Sequence, residues 1–240
     1  MVIDDLANRF HSCDILLDQT FGRTKKDYFD RVPERCRLLC GSRYALLRPE
    51  FAKLRDYSLT RRQKPSLNNL LISMGGIDKD NVTTDILGAL KKSTLPYNCC
   101  ITVVMGAKSP WIEKVKTAAQ KSKWQTEILV EVDDMATLFA ESDLAIGAVG
   151  GTSLERCCLG LPTIATVIAD NQRQAASFLS REKAAIIINC DQNMQKELCE
   201  SLNEILSAPH VLSELSQSCS KVTDGFGCNR VLEKMTYQGL

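Results

Sequence analysis

Asp143-Leu144-Ala145-Ile146-Gly147-Ala148-Val149-Gly150-Gly151-Thr152-Ser153-Leu154-Glu155 is an apolar strand that breaks at a glycine pair and re-enters a helix with an acid in its first turn. That order, strand then tight turn then helix, is the repeating unit of an open α/β sheet. The first N–H groups of a helix have no partner inside it, so they face outward and attract phosphate. Glycines at 150 and 151 let the chain turn sharply and let a ligand approach the backbone. Glu155 stands about one turn further in, where a carboxylate can accept hydrogen bonds from a vicinal diol such as a ribose. The same residues fit a second pattern, the capping box Thr152-x-x-Glu155, in which Glu155 folds back onto the cap N–H. Taken alone, the stretch leaves both readings open.

Outward from this unit the pattern repeats. Apolar runs at 69–73, 100–105, 127–131, 143–147, 163–167 and 185–189 read as strands. They are continuous rather than alternating, which implies burial on both faces, as in a parallel sheet. Helical segments fall near 81–92, 110–121, 135–141, 152–159, 171–182 and 195–206. Six strand-helix repeats make a doubly wound, Rossmann-like α/β domain, whose ligands bind beyond the carboxyl ends of the strands. Four polar or glycine-bearing turns follow strands on that edge: 73–78, 105–108, 132–135 and 149–155. Each also has a structural reading. Gly75-Gly76 ends a strand with Asp78 or Asp80 capping the next helix, and Asp133 or Asp134 caps the helix that starts at Met135.

The first 65 residues differ. Val2-Ile3, Ile15–Leu17, Arg37–Leu39 and Tyr44–Leu47 read as short extended pieces, and the basic, Pro-bounded Leu59–Ser66 as a linker. Two or three strands close a core poorly. The expected organisation is a remnant of an N-terminal domain plus linker (1–65), a nucleotide-binding domain (66–223), and a C-terminal turn and helix (224–240). An incomplete first domain would expose apolar strand edges and favour self-association.

A chain of 240 residues with 44% apolar and 25% charged residues has the composition of a globular protein with a packed core. The net charge of +1, with Lys and Arg scattered, supplies no field for nucleic acid or an acidic membrane surface. No basic leader and no apolar run of membrane-spanning length stands out, so a cytoplasmic protein is expected. Eleven cysteines occur without CxxC pairs, and Cys36-x3-Cys40 with only His11 and His210 is a poor zinc set, which favours buried free thiols. His11 is a candidate general base or a solvated loop histidine.

Val2-Ile3-Asp4-Asp5-Leu6-Ala7, Cys13–Gln19, Tyr44–Phe51, Ser73–Asp78 and Asp224–Gly227 together resemble the PseG family of UDP-sugar hydrolases. Val132-Asp133-Asp134-Met135 and Gly160-Leu161-Pro162 are similar to the related MurG-like glycosyltransferases of GT-B fold. The resemblance implies two Rossmann-like domains facing a cleft, with UDP or a UDP-sugar held mainly by the C-terminal one. It places the backbone of Val132 against uracil with Met135 nearby, the N–H groups of Gly151 and Thr152 on the diphosphate, and Glu155 on the ribose hydroxyls. Asn171, Gln172 and Gln174 would face the sugar; without the resemblance, Asp170–Gln174 reads equally as a helix start capped by Asp170.

The implied reaction is inverting attack of water at the anomeric carbon of UDP-2,4-diacetamido-2,4,6-trideoxy-L-altrose, a step of pseudaminic acid synthesis, with backbone dipoles neutralising the leaving diphosphate. It calls for no cofactor and no metal. The family's Gly-x-Gly-His loop, expected to serve the water or the leaving group, has no counterpart in this sequence, so the catalytic residues stay unassigned. Met1 aligns near the last strands of the family's N-terminal domain, as expected of a fragment or a short form. The alternatives are a MurG-like transferase and a nucleotide-sugar-binding module without catalysis.

Overall fold

The computed structural model describes residues 1–236, so residues 237–240 of the expected C-terminal segment lie outside it. Strands β1 (Val2–Ile3), β2 (Ile15–Asp18) and β3 (Arg37–Cys40) form a parallel sheet in that order, with Leu16 opposite Val2 and Leu38. Leu16 and Leu17 point to opposite faces of the central strand, and both are fully buried. Leu16 packs with Ala7, Cys13 and Tyr28, while Leu17 meets Leu39 and Val231 from the far end of the chain. Tyr44–Leu47, expected to be extended, instead leaves a short 3-10 turn at Ser42–Tyr44.

The expected linker opens inside a helix and is turn and coil from residue 62 onward. α1 (Pro49–Arg61) starts on a proline that presets its first turn, and takes in residues 59–61, the first three of the segment assigned to a connection. Its buried positions include Ser58, and Arg62 just beyond its end is also buried. The helix is therefore held by donors as well as by apolar packing. Arg62 donates to the carbonyls of Phe139 (2.8 Å), Ser142 (2.7 Å) and Leu159 (3.1 Å), and Ser58 Oγ to that of Leu159 (2.7 Å). Arg55 donates to the carbonyls of Cys158, Thr223 and Ser220.

The six apolar runs form a second, wholly parallel sheet. Its strands are β4 (Asn69–Ser73), β5 (Cys100–Met105), β6 (Thr126–Val130), β7 (Leu144–Ala148), β8 (Thr163–Thr166) and β9 (Ile186–Ile188), in spatial order β6-β5-β4-β7-β8-β9. The helices between and after them are α2 (Val82–Leu90), α3 (Ile112–Gln120), α4 (Met135–Glu141), α5 (Thr152–Cys158), α6 (Arg173–Arg181), α7 (Met194–Ser207), α8 (His210–Ser220) and α9 (Gly227–Thr236). Alternate residues of β4 serve opposite layers. Leu70 and Ile72 join Ile86, Val115 and Leu198 in one core, whereas Leu71 joins Phe51, Phe139, Leu154 and Leu179 in the other. Both faces are covered, which is why these strands carry continuous apolar runs.

Numbered within this sheet, the order is 3-2-1-4-5-6, and it reverses between β4 and β7. Loops leaving adjacent strands in opposite directions open a crevice at that point, where ligands of such sheets bind. Ser73 lies opposite Gly147 in the register, so the turns after β4 and β7 flank the crevice.

Candidate functional site

The turn from β7 to α5 is shaped by a serine. Ser153 Oγ accepts the Gly150 N–H at 3.2 Å, turning that donor inward. Ser153 and Leu154 N–H groups close onto the carbonyls of Gly150 and Gly151. Among the described residues the N–H groups of Gly151 and Thr152 take no partner, and the space where a Gly151 Cβ would stand is empty to 4 Å. Two adjacent donors therefore face the open side of the turn.

The capping box does not form. Gly151 is the N-cap of α5, without a side-chain cap bond, and the Glu155 carboxylate makes no hydrogen bond within the described protein. Burial pushes this carboxyl up, against the opposing charges of Arg48 and Arg156. A desolvated carboxylate with open acceptor positions is available to a ligand's hydroxyls.

The neighbouring loops divide into structural and open parts. After β4, Asp78 accepts the N–H groups of Val82 (2.9 Å) and Thr83 (3.0 Å), so it caps α2, one of the two roles foreseen for it or Asp80. The β4 and β5 loops press together, since a Cβ on Gly106 would fall 2.3 Å from the Gly76 carbonyl oxygen. After β6, Asp134 caps α4 through Thr137 N–H (3.0 Å), leaving Val132 and Met135 half-buried beside the exposed Asp133. After β8, Asp170 does not cap a helix; it pairs with Arg173 on the surface (3.0 Å). Gln172 Oε1 accepts the Ile168 N–H (3.0 Å), and its Nε2 lies 3.9 Å from where a Gly150 Cβ would stand. Gln172 is thus brought to the glycine turn, whereas Asn171 and Gln174 are exposed, with no side-chain hydrogen bond within the described protein.

One cation of this site escaped the sequence reading. Arg48 precedes α1, donates to the Asp133 carbonyl (2.9 Å), lies 5.5 Å over the Phe51 ring, and its charge favours the ionised forms of Glu155, where burial outweighs it, and of Asp134. It stood in the Tyr44–Phe51 motif without a role, because only the fold brings 48 against 133 and within electrostatic reach of 155.

His11 is neither solvated nor at the glycine turn. Its Nε2 is 3.5 Å from Asp4 Oδ1, within a buried group of Asp4, Asp18, Arg23 and Tyr28, whose hydroxyl bridges the two carboxylates at 2.8 and 2.7 Å. Burial opposes ionisation of Asp4, but hydrogen bonds from Tyr28, Ala7 N–H and Arg9 outweigh it and hold the carboxyl well below its usual range. Cys36 lies 3.7 Å from Cys13, and burial raises its thiol to about 11. No group of three metal-ligating side chains occurs among the described residues, and no described helix is long and apolar enough to cross a membrane.

The Glycosyltransferase family 28 C-terminal domain matches residues 66–225. The spore coat polysaccharide biosynthesis protein SpsG of Bacillus subtilis is 28% identical over 197 residues, 81% of this chain and 57% of that protein. The UDP-2,4-diacetamido-2,4,6-trideoxy-beta-L-altropyranose hydrolase of Campylobacter jejuni is 26% identical over 172 residues, 72% of this chain and 59% of that one. The chain thus spans little more than half the length of these relatives. Among solved structures, Acinetobacter baumannii MurG superposes with a TM-score of 0.62 over 92% of this chain and 60% of its own, at 19% identity. That likeness speaks for the fold alone, a GT-B-like α/β architecture.

Proposed function

The chain belongs to the glycosyltransferase family 28 C-terminal domain family, and from that premise we propose that it binds UDP or a UDP-sugar at the carboxyl edge of the six-stranded sheet. The observation that carries the reading is the pair of unpartnered N–H groups at Gly151 and Thr152, with the unbonded Glu155 carboxylate one turn on, beside the sheet's switch point. The diphosphate takes the two N–H groups, the ribose hydroxyls take Glu155, and uracil lies along the backbone at Val132 with Met135 beside it. Gln172 faces the sugar from the turn's other side, with Asn171 and Gln174 next along the same segment. Neutralising the diphosphate through fixed dipoles stabilises UDP as a leaving group, which suits hydrolysis and glycosyl transfer alike.

Of the two reactions we favour release of UDP by water from UDP-2,4-diacetamido-2,4,6-trideoxy-L-altrose, as in the Campylobacter relative's name. The motifs at 2–6 and 44–51 support that branch over the transferase. Titration calorimetry tests the site. UDP binding is expected, and Glu155→Ala should weaken it by about 1–2 kcal/mol, the scale of a hydrogen bond to a charged group. Equal UDP affinity in the variant would remove Glu155 from the site.

A further inference from the structure

Arg156 is a charged side chain for which the described protein supplies no ion-pair partner. It is 2% exposed, and its Nη2 donates to the Ala148 carbonyl (2.7 Å) and to Ser153 Oγ (2.8 Å). Nε and Nη1 are buried without a hydrogen bond. The guanidinium lies against β7: a Cβ on Gly147 would fall 2.2 Å from Nη1 and 2.8 Å from the Ser73 carbonyl oxygen, so position 147 requires glycine. Burial pushes the group down to about 10, which leaves it charged at neutral pH. A buried cation that no carboxylate pairs carries a large desolvation cost.

Every hydrogen bond its side chain makes is to the glycine turn. Ala148 ends β7, and Ser153 is the residue that holds the Gly150 N–H inward. Arg156 thereby braces the segment whose outer face presents the Gly151 and Thr152 donors. No ligand group reaches the guanidinium itself, because the cavity against Arg156, Ser153 and Thr163 has a volume of about 10 Å³, room for one water.

We propose that Arg156 is a positioning residue and fixed counter-charge for a diphosphate: it sets the 148–153 turn from beneath, and the anion bound on the turn's outer face supplies the charge that the protein withholds. The proposal rests on the nucleotide site described above and adds a source of its anion selectivity. A positive charge behind the donors strengthens them toward a diphosphate and does little for a neutral nucleoside, since the two are separated by a poorly screened interior.

The test compares UDP with uridine by titration calorimetry on the unmodified chain, Arg156→Met, Arg156→Gln and Arg156→Lys, each checked for folding by circular dichroism. Both neutral variants should lose tenfold or more in UDP affinity with uridine affinity kept within threefold, and Arg156→Lys should recover part of the loss. Equal losses for UDP and uridine overturn the proposal, as that is the outcome for a brace of the fold without electrostatic effect. Should neither neutral variant fold, competition on the unmodified chain decides: inorganic pyrophosphate is expected to displace UDP, and its failure to compete overturns the proposal. Absence of UDP binding by the unmodified chain would instead refute the nucleotide site itself.

Discussion

Glu155 shows how burial of one unbonded carboxylate bears on stability. A capping-box glutamate would be bonded to its own helix, whereas this carboxylate is half-buried and unbonded, with its pKa raised chiefly by burial. The native state then takes up a proton more readily than the unfolded chain, so the residue costs stability above the raised pKa and ceases to do so as pH falls through it. Glu155→Gln, which keeps the shape without the charge, should raise the melting temperature of the ligand-free protein at pH 7, with the advantage fading in acid, while weakening UDP. Thermal melts of both proteins between pH 4 and 8 measure this. A variant that is no more stable than the parent at neutral pH would mean that the carboxylate is already satisfied in solution. Sequence could not choose between cap and site here, because both need an acid at the same spacing; the box is lost because Gly151 rather than Thr152 is the N-cap, which puts Glu155 one place beyond N3.

The elements differ in how far they could be read. The strands of the larger sheet were legible to within one or two residues, because burial on both faces leaves an uninterrupted apolar run bounded by turns. α1 was not, since Arg55, Ser58, Arg61 and Arg62 do much of its docking, and Arg61 and Arg62 make its end read as a basic connection. Its arginines donate to the last carbonyls of α4, α5 and α8, groups that every helix leaves unpaired at its carboxyl end and that favour a nearby cation. Such partners are 77 or more residues away in sequence and leave no local periodicity. Arg62→Met should retain the packing of the stem and remove the three donations, costing about 3 kcal/mol in urea unfolding. A loss below about 0.5 kcal/mol would return α1's stability to its apolar residues, Phe51 foremost.

At the scale of the whole molecule, the two sheets are joined by chain that crosses between them twice, through α1 and through the segment leading into α9. The second crossing is close-fitting. A Cβ on Gly227 would meet the Ala45 carbonyl oxygen at 2.1 Å, Ser42 Oγ donates to the Val222 carbonyl (2.7 Å), and Val231 fills the core beside Leu17 and Leu39. The glycine at 227 is required by the approach of another backbone, a constraint that a short C-terminal motif cannot reveal until the fold brings residue 45 against it. Gly227→Ala should therefore push α9 from the smaller sheet, at a cost of about 1–3 kcal/mol, typical of overpacking. Native-state hydrogen exchange is expected to show faster opening at Leu17 and Leu39 and unchanged protection at Ile72 and Ile146, with UDP affinity kept within twofold because the glycine turn lies in the other sheet. Equal loss of protection in both sheets would mean that they open as a single cooperative unit, and the nucleotide site would then depend on α9 for its stability.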